Sequence, residues 1–422
     1  MTRLWVLLLV PACFRPSYEH TACGPAGECP GALMCVQGFC ELGADGGTGD
    51  LDGARASDGS IQDGAVDGSN DAQSCFGVGL VNVCLATLPD HPVSLPRVSG
   101  TLDTTQAANC DLVVAQQAGP SLCVIVGTSV TVSGSLVAIG PRPLVLVATD
   151  TVTVIGSGTL DVSSVGGTGA RRGAGGNASE CFPSSNGAND SGGAGGGGGG
   201  GFGTTGGQGG SGDLDDSNQP VGPAFGGAGG EPQSTPIVLH GGCSGGAGGS
   251  ANTDPRNRGG PGGDGGGVVY LIAGNRIAID GNVFASGAGG GVTSGTDGRL
   301  EGGGGGGSGG MIGLDAPMIQ VAGRVVANGG AGGGGGANVG GTPGGNGTTV
   351  QWNLRAAAGV GAQVLPTSAG NGAEGTAVGA TANIDGVSTN LGGGGGAGGL
   401  GLIFTYGTLS GGSMMSPAPV QR

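Results

Sequence analysis

Residues 277–287 read IAIDGNVFASG, and 42 positions later residues 319–329 read IQVAGRVVANG. In both, large apolar side chains alternate (Ile277, Ile279, Val283; Ile319, Val321, Val325), and a glycine (Gly281, Gly323) divides the unit into two short segments. Alternation with period two over such short spans is the pattern of a strand with one buried face. The unit also stands upstream, as VTVSGSLVAIG at 130–140 and as VTVIG at 152–156 followed by Leu160-Asp161-Val162. Further apolar runs accompany the copies: PLVLVATD at 143–150, VVYLIAG at 268–274 and MIGLDAP at 311–317, with LGLIFTYGTL at 400–409 as a last copy.

Two short strands joined at a glycine cannot bury an apolar face alone, whereas stacked copies bury it together. Because the unit recurs in one chain direction, the expected class is mostly β, a parallel (right-handed) β-helix-like coil. Ile277, Ile279, Val283, Ile319, Val321 and Val325 then form an inner column, while Ala278, Gln320, Ala322 and Arg324 face outward. The competing architecture with the same strands is an antiparallel sandwich. Glycines within the unit are expected where the coil bends.

Between the copies lie tracts such as GGAGGGGGGGFG (192–203), GGPGGDGGG (259–267), EGGGGGGSGG (301–310) and GGAGGGGGANVGG (329–341). Glycine numbers 109 and proline 22 of 422 residues, which excludes collagen, where proline is far denser and the triplets run unbroken. Two readings remain open, a free linker and a bundle of extended polyglycine-II helices with three residues per turn. The second resembles the glycine-rich sandwich domains of some bacterial surface proteins and phage tail-tip adhesins.

All 14 basic residues are arginine, and the net charge is -15. The lack of lysine excludes phosphate loops ending in Gly-Lys-Ser/Thr and Schiff-base chemistry, and the negative balance argues against nucleic acid as a partner.

Arg3, the apolar run Leu4–Val10 and Val10-Pro11-Ala12-Cys13 have the anatomy of an export signal. The last four residues resemble the lipobox of bacterial lipoproteins, from which Pro11 departs. The resemblance implies cleavage before Cys13, lipidation of its thiol and membrane attachment through the acyl chains; Phe14 in place of an aspartate implies the outer membrane or cell surface. With Cys13 lipidated, ten cysteines remain, an even number suited to disulfides in an exported chain. Cys23, Cys29, Cys35 and Cys40 fall within eighteen residues that are too few to bury a core and look like small EGF-like or toxin-like knots. Zinc would need a C-x2-C pair that is missing there. Neighbourhood pairs Cys75 with Cys84, Cys110 with Cys123 and Cys181 with Cys243.

From Ala44 to Asp71 the chain carries seven aspartates, one arginine and five Asp-Gly steps, a composition expected to be a disordered tether. The resulting division is 1–12 signal peptide, 13–43 lipidated N-terminus and Cys-rich module, 44–73 linker, 74–165 first coils, 166–267 Gly-rich insertion, 268–328 repeat copies, 329–399 second Gly-rich insertion, and 400–422 last strand and tail.

Motifs with a chemical look are explained by the glycine content. G-x-S-x-G surrounds Ser244 and Ser308, but His20, His91 and His240 all precede both serines, against the order of that hydrolase family. Gly259–Asp264 begins like a calcium nonapeptide and does not repeat. Asp213, Asp215 and Asp216 read as a solvated loop. No catalytic residue, metal ligand or cofactor is therefore assigned. The expected role is a structural or adhesive lipoprotein of the cell surface, with a surface polysaccharide or a protein as the ligand classes left open. The alternatives are a β-helix polysaccharide lyase or glycoside hydrolase, which would cluster Asp161, Asp280 and Asp315 with arginines, and an ice-binding coil built on Thr131, Thr151 and Thr153.

Overall fold

The computed structural model describes two strands near the N-terminus (33–36, 39–42) and, from residue 74 on, all but 98–99, 168–169, 178, 213–223, 234, 252–257, 293–299, 338–341, 344–355, 362, 365–366 and 369–390. The chain divides into two compact units, Met1–Gly68 and Ser69–Arg422. In the first, β1 (Leu33–Val36) and β2 (Phe39–Leu42) form an antiparallel hairpin in which Cys35 and Cys40 are register partners. Cys13, Cys23, Cys29 and the acidic stretch 44–73 lie outside the described residues.

The second unit opens with a hairpin, β3 (Ser74–Phe76) and β4 (Val83–Leu85), followed by β5 (Val93–Leu95), β6 (Thr101–Asp103) and β7 (Leu112–Gln116). Next come β8 (Gly119–Val132), β9 (Ser135–Ile139), β10 (Leu144–Val154) and β11 (Thr159–Asp161). After a long glycine-rich insertion stand β12 (Val268–Ala273), β13 (Arg276–Ile279), β14 (Asn282–Phe284), β15 (Met311–Val321) and β16 (Arg324–Val326). A small hairpin, β17 (Gln363–Val364) with β18 (Thr367–Ser368), precedes β19 (Leu402–Gly411), β20 (Met415–Ser416) and β21 (Val420–Gln421).

Successive copies of the repeat pair side by side in two sheets. One runs β21-β19-β15-β12-β10-β8-β5, with β13 also bridging β10 and β15; the other runs β20-β16-β14-β11-β9-β6. Within these orders every pairing is parallel, and β7 adds antiparallel to β8. The antiparallel sandwich is thereby replaced by parallel stacking. Identical positions of the repeat fall in register: Val130, Val152, Ile277 and Ile319 in one row, Leu136, Leu160, Val283 and Val325 in another. All are buried in one continuous core. Gln320 and Ala322 are exposed and Arg324 is half-exposed. Ala278, expected outward, is instead buried at 5% exposure.

Several apolar runs read as separate strands are halves of longer ones. β10 and β15 each continue through a register irregularity, at Ala148/Thr151 and Asp315/Met318 respectively. The first halves are apolar on both faces, as in parallel sheets covered on both sides. The second face of this part of the sheet, on β8, β10, β12 and β19 (Val124, Val145, Tyr270, Phe404), packs against Val81, Val83, Phe202 and Leu239 in a separate core.

The described glycine tracts are ordered and buried. Consecutive amides of one tract donate in three directions, and the pattern repeats every third residue: Gly195 to Ala188 O and Gly198 to Ser185 O, Gly196 to Gly210 O and Gly199 to Gly207 O, Gly197 to Gly303 O and Gly200 to Gly306 O. Its carbonyls accept from three other tracts, through Gly227 and Gly230, Gly246 and Gly249, and Gly396 and Gly399. Residues 302–308 stand at the centre of a second such set. Three residues per turn is the pitch that sends successive amides to three neighbours. A Cβ on Gly197 would lie 2.1 Å from Gly246 O, and one on Gly196 would lie 1.9 Å from Gly394 O, so any larger residue drives the tracts apart.

The tracts join the sheets end to end: 301–310 leads into β15, 391–401 into β19, and 285–291 leaves β14. Tracts alternate in direction, and Gly212 bonds Ala224 O, Asp190 bonds Ser250 O, and Gly392 bonds Gly336 O at one and the same end. The connections after Gly212, Ala251, Val292 and Ala337 therefore all leave from the end remote from the sheets, on the order of 30 Å from Met311 for nine residues at about 3.1 Å each.

Val321→Asp places a carboxylate in the core and should cost several kcal/mol, whereas Gln320→Asp should stay within about 0.5 kcal/mol. Thermal melting followed by circular dichroism separates them, and equal midpoints would contradict the buried row. Gly305→Ala sets a Cβ 2.0 Å from Gly198 O, while nothing lies within 4 Å of a Cβ on Gly156. The first should therefore destabilise by about 3 kcal/mol or more, and the second should be neutral or gain about 0.4–1 kcal/mol, as read by denaturant titration.

Candidate functional site

The structure brings together Cys75 and Cys84 (S–S 2.07 Å), Cys110 and Cys123 (2.02 Å), and Cys181 and Cys243 (2.16 Å). The first closes the β3–β4 hairpin, the second ties β8 to the turn before β7, and the third fastens the start of the glycine insertion to a buried tract. The residues with a catalytic look are not assembled. Ser308 is fully buried and its hydroxyl accepts from Cys243 N at 2.8 Å. His240 is buried edge-on to Phe202 with Nδ1 3.0 Å from Gly241 O, and burial lowers its pKa. Asp161 binds Arg171, Asp280 is exposed, and Asp315 is buried elsewhere. Asp213, Asp215, Asp216 and His20 lie outside the described residues.

A cleft does form where the sheets meet the glycine tracts. After β11, Val165 and Arg171 close a turn with two backbone bonds of 2.9 Å, and Gly167 within it has φ +76°, a conformation natural to glycine. The turn is fixed by the Arg171–Asp161 ion pair. The chain then returns along β9, with Ala174 N bonding Ala138 O and Gly175 N bonding Gly140 O. This presents Arg172 and Asn177 to Asp264, which lies in the tract 259–267. Asp264 Oδ1 accepts from Asn177 Nδ2 and, at 3.3 Å, from Arg172 Nη2, while Asn177 Oδ1 accepts from Gly265 N at 2.7 Å. The cleft measures about 630 Å³ and is lined by these residues with Arg171, Glu180, Pro120 and Pro141. A second of about 470 Å³, lined by Pro261, Val292 and Pro343, shares Ala170 and Asp264 with it. Sequence reading missed the site; its one signal is Arg171-Arg172, the only adjacent pair of basic residues in the chain. Comparison with protein-family models, curated proteins and solved structures returned no match.

The other buried polar centre holds the hairpin in place. Asp315, 4% exposed, accepts from Val78 N (2.9 Å), Gly79 N (2.8 Å) and the Tyr270 hydroxyl (3.3 Å). Burial raises its pKa, opposed by the two backbone amides, and burial likewise pushes the Tyr270 hydroxyl far above the phenol range. A carboxyl whose folded pKa lies above its unfolded one contributes most below the unfolded value, and that contribution is lost as pH rises through the folded value. Asp315→Asn keeps an acceptor for both amides and removes the charge. Its stability should therefore fall less than that of the wild type between pH 4 and 7, as urea titrations across this range would show; parallel curves would contradict a raised pKa.

Proposed function

We propose that this chain is a lipid-anchored structural or adhesive protein of the bacterial cell surface. Its body is a parallel β-helix-like coil that carries a polyglycine-II bundle. The observation behind this reading is the bundle. Its backbone polar groups are spent on one another in three directions, which makes a stiff rod, and four of its connections, after Gly212, Ala251, Val292 and Ala337, are attached at the end remote from the sheets. Such a body holds residues at a distance from its base without needing a cofactor or a moving part. The export signal, Cys13, the acidic linker and an even set of remaining cysteines favour the envelope of a two-membrane bacterium. Among the described residues no helix is long and apolar enough to cross a membrane; the attachment in this reading is the lipid on Cys13. A polysaccharide lyase is less well supported, because Asp161, Asp280 and Asp315 have separate surroundings.

Two or three acyl chains give stable anchoring where one gives about 10⁴ M⁻¹. Cys13→Ser should therefore move nearly all of the protein from the membrane pellet to the soluble fraction. Retention of the variant in the pellet after a high-salt wash would refute the lipid anchor, and resistance of the wild type to protease added to intact cells would refute surface exposure.

A further inference from the structure

The two clefts beside Asp264 share that residue and Ala170, so they adjoin as two lobes of a groove at the root of the glycine bundle. The geometry points to this groove as a binding site for a neutral polysaccharide, seated as an extended chain of several sugar units. Each lobe has the volume of an ordinary ligand pocket, and two adjoining lobes suit successive units of a polymer better than a single compact ligand.

The chemistry of the lining selects the class. Two guanidinium groups (Arg171, Arg172), two carboxyl groups (Glu180, Asp264) and one amide (Asn177) line the first lobe; with Arg171 already paired to Asp161, carboxylates outnumber guanidinium groups by one there, in a chain of net charge -15. A sugar hydroxyl is donor and acceptor at once, so neighbouring hydroxyls on a ring satisfy a carboxylate and a guanidinium together. A polyanion would meet two carboxylates and the repulsion of the whole chain. An extended peptide would need a free backbone ladder. In the second lobe the glycine amides already donate to neighbouring tracts, Gly263 to Gly305 O, Gly290 to Ala331 O and Gly291 to Pro261 O. That lobe offers instead the apolar faces of Pro261, Val292 and Pro343, against which the C–H face of a sugar ring can lie.

The placement of Asp264 is built into its tract. Pro261 and Asp264 are three residues apart, one turn of a three-residue helix, and so lie on one edge. Residues in the next phase, Gly260, Gly263 and Gly266, donate inward to Gly302, Gly305 and Ser308. The edge facing the groove is the one where a side chain fits and where proline's missing N–H is no loss.

The test is affinity electrophoresis of the full exported chain in gels containing, separately, hydroxyethylcellulose, laminarin, galactomannan or polygalacturonate. It is paired with fluorescence anisotropy of a labelled extended peptide. Arg172 is solvent-facing, with its side chain 52% exposed, so Arg172→Gln should leave melting unchanged; Asp264→Asn keeps the shape of the side chain. At least one neutral polysaccharide should retard the wild type, and each variant should weaken that binding by about tenfold or more, the loss of one charge-assisted bond. Should Asp264→Asn fail to fold, Arg172→Gln decides alone. The inference is overturned if no neutral polysaccharide retards the chain, if the folded variants bind as the wild type does, or if polygalacturonate or the peptide binds more tightly. None of these outcomes bears on whether Cys13 is lipidated.

Discussion

The body of this protein depends on one constraint: glycine backbones packed so closely that no Cβ fits between them. The amides of residues 195–200 and 302–308 each reach a carbonyl of another tract at 2.8–3.1 Å, and a buried amide left unpaired would cost about 1–3 kcal/mol. Glycine loses more conformational freedom on ordering than any other residue, and these tracts bury little apolar side chain to offset that loss. Their order therefore rests on complete backbone pairing and dense contact. Such pairing is sensitive to register, because sliding one tract by a single residue turns its amides by about a third of a revolution away from their acceptors.

The sheets hold that register. Tracts 301–310 and 391–401 enter β15 and β19, whose pairing fixes Met311 opposite Leu402 and Ile312 opposite Ile403. The tract that ends at Gly267 enters β12, held by Val268 opposite Met311. Apolar stacking in the parallel sheets thus sets the axial position of the glycine tracts that enter them, and the insertion covers the sheets in return. Phe202 and Leu239, both from the insertion, are buried against the sheet face that carries Tyr270 and Phe404. The two cores are separate clusters, and the first halves of the long strands stand between them.

The strands were legible because one-sided burial writes itself locally as alternation; the rows at Val321 and Val325 follow from their own neighbours in sequence. Ala278 broke the rule because its outward face is also covered, which alternation cannot report. The glycine tracts were ambiguous for a different reason. A flexible linker and a packed helix have the same composition, and the difference lies in partners such as Gly197 and Gly303 that are distant in the chain. The polar centres were illegible on the same ground. Asp315 meets Val78 across 237 residues, and Arg172 meets Asp264 across 92, so only the doubled arginine marked the place.

Period three also determines where this architecture can carry chemistry. Inside the bundle most positions are closed to side chains and only small ones such as Ala331, Ala397 and Ser308 are buried there, so larger polar residues collect on edges that lack a neighbouring tract. Asn186 and Asn189, three apart, accept through their side chains from Ala247 N and Ser250 N, themselves three apart, at 2.9 and 2.8 Å. On that edge a side-chain carbonyl supplies the acceptor that another tract would have supplied. Pro261 and Asp264 occupy the corresponding phase of a different tract and open onto the groove instead. A substitution that keeps the glycine phases leaves the bundle intact, whereas one at an edge alters only what that edge presents. Recognition can therefore change at such edges and at the remote connections while the scaffold between them stays fixed by the absence of Cβ atoms.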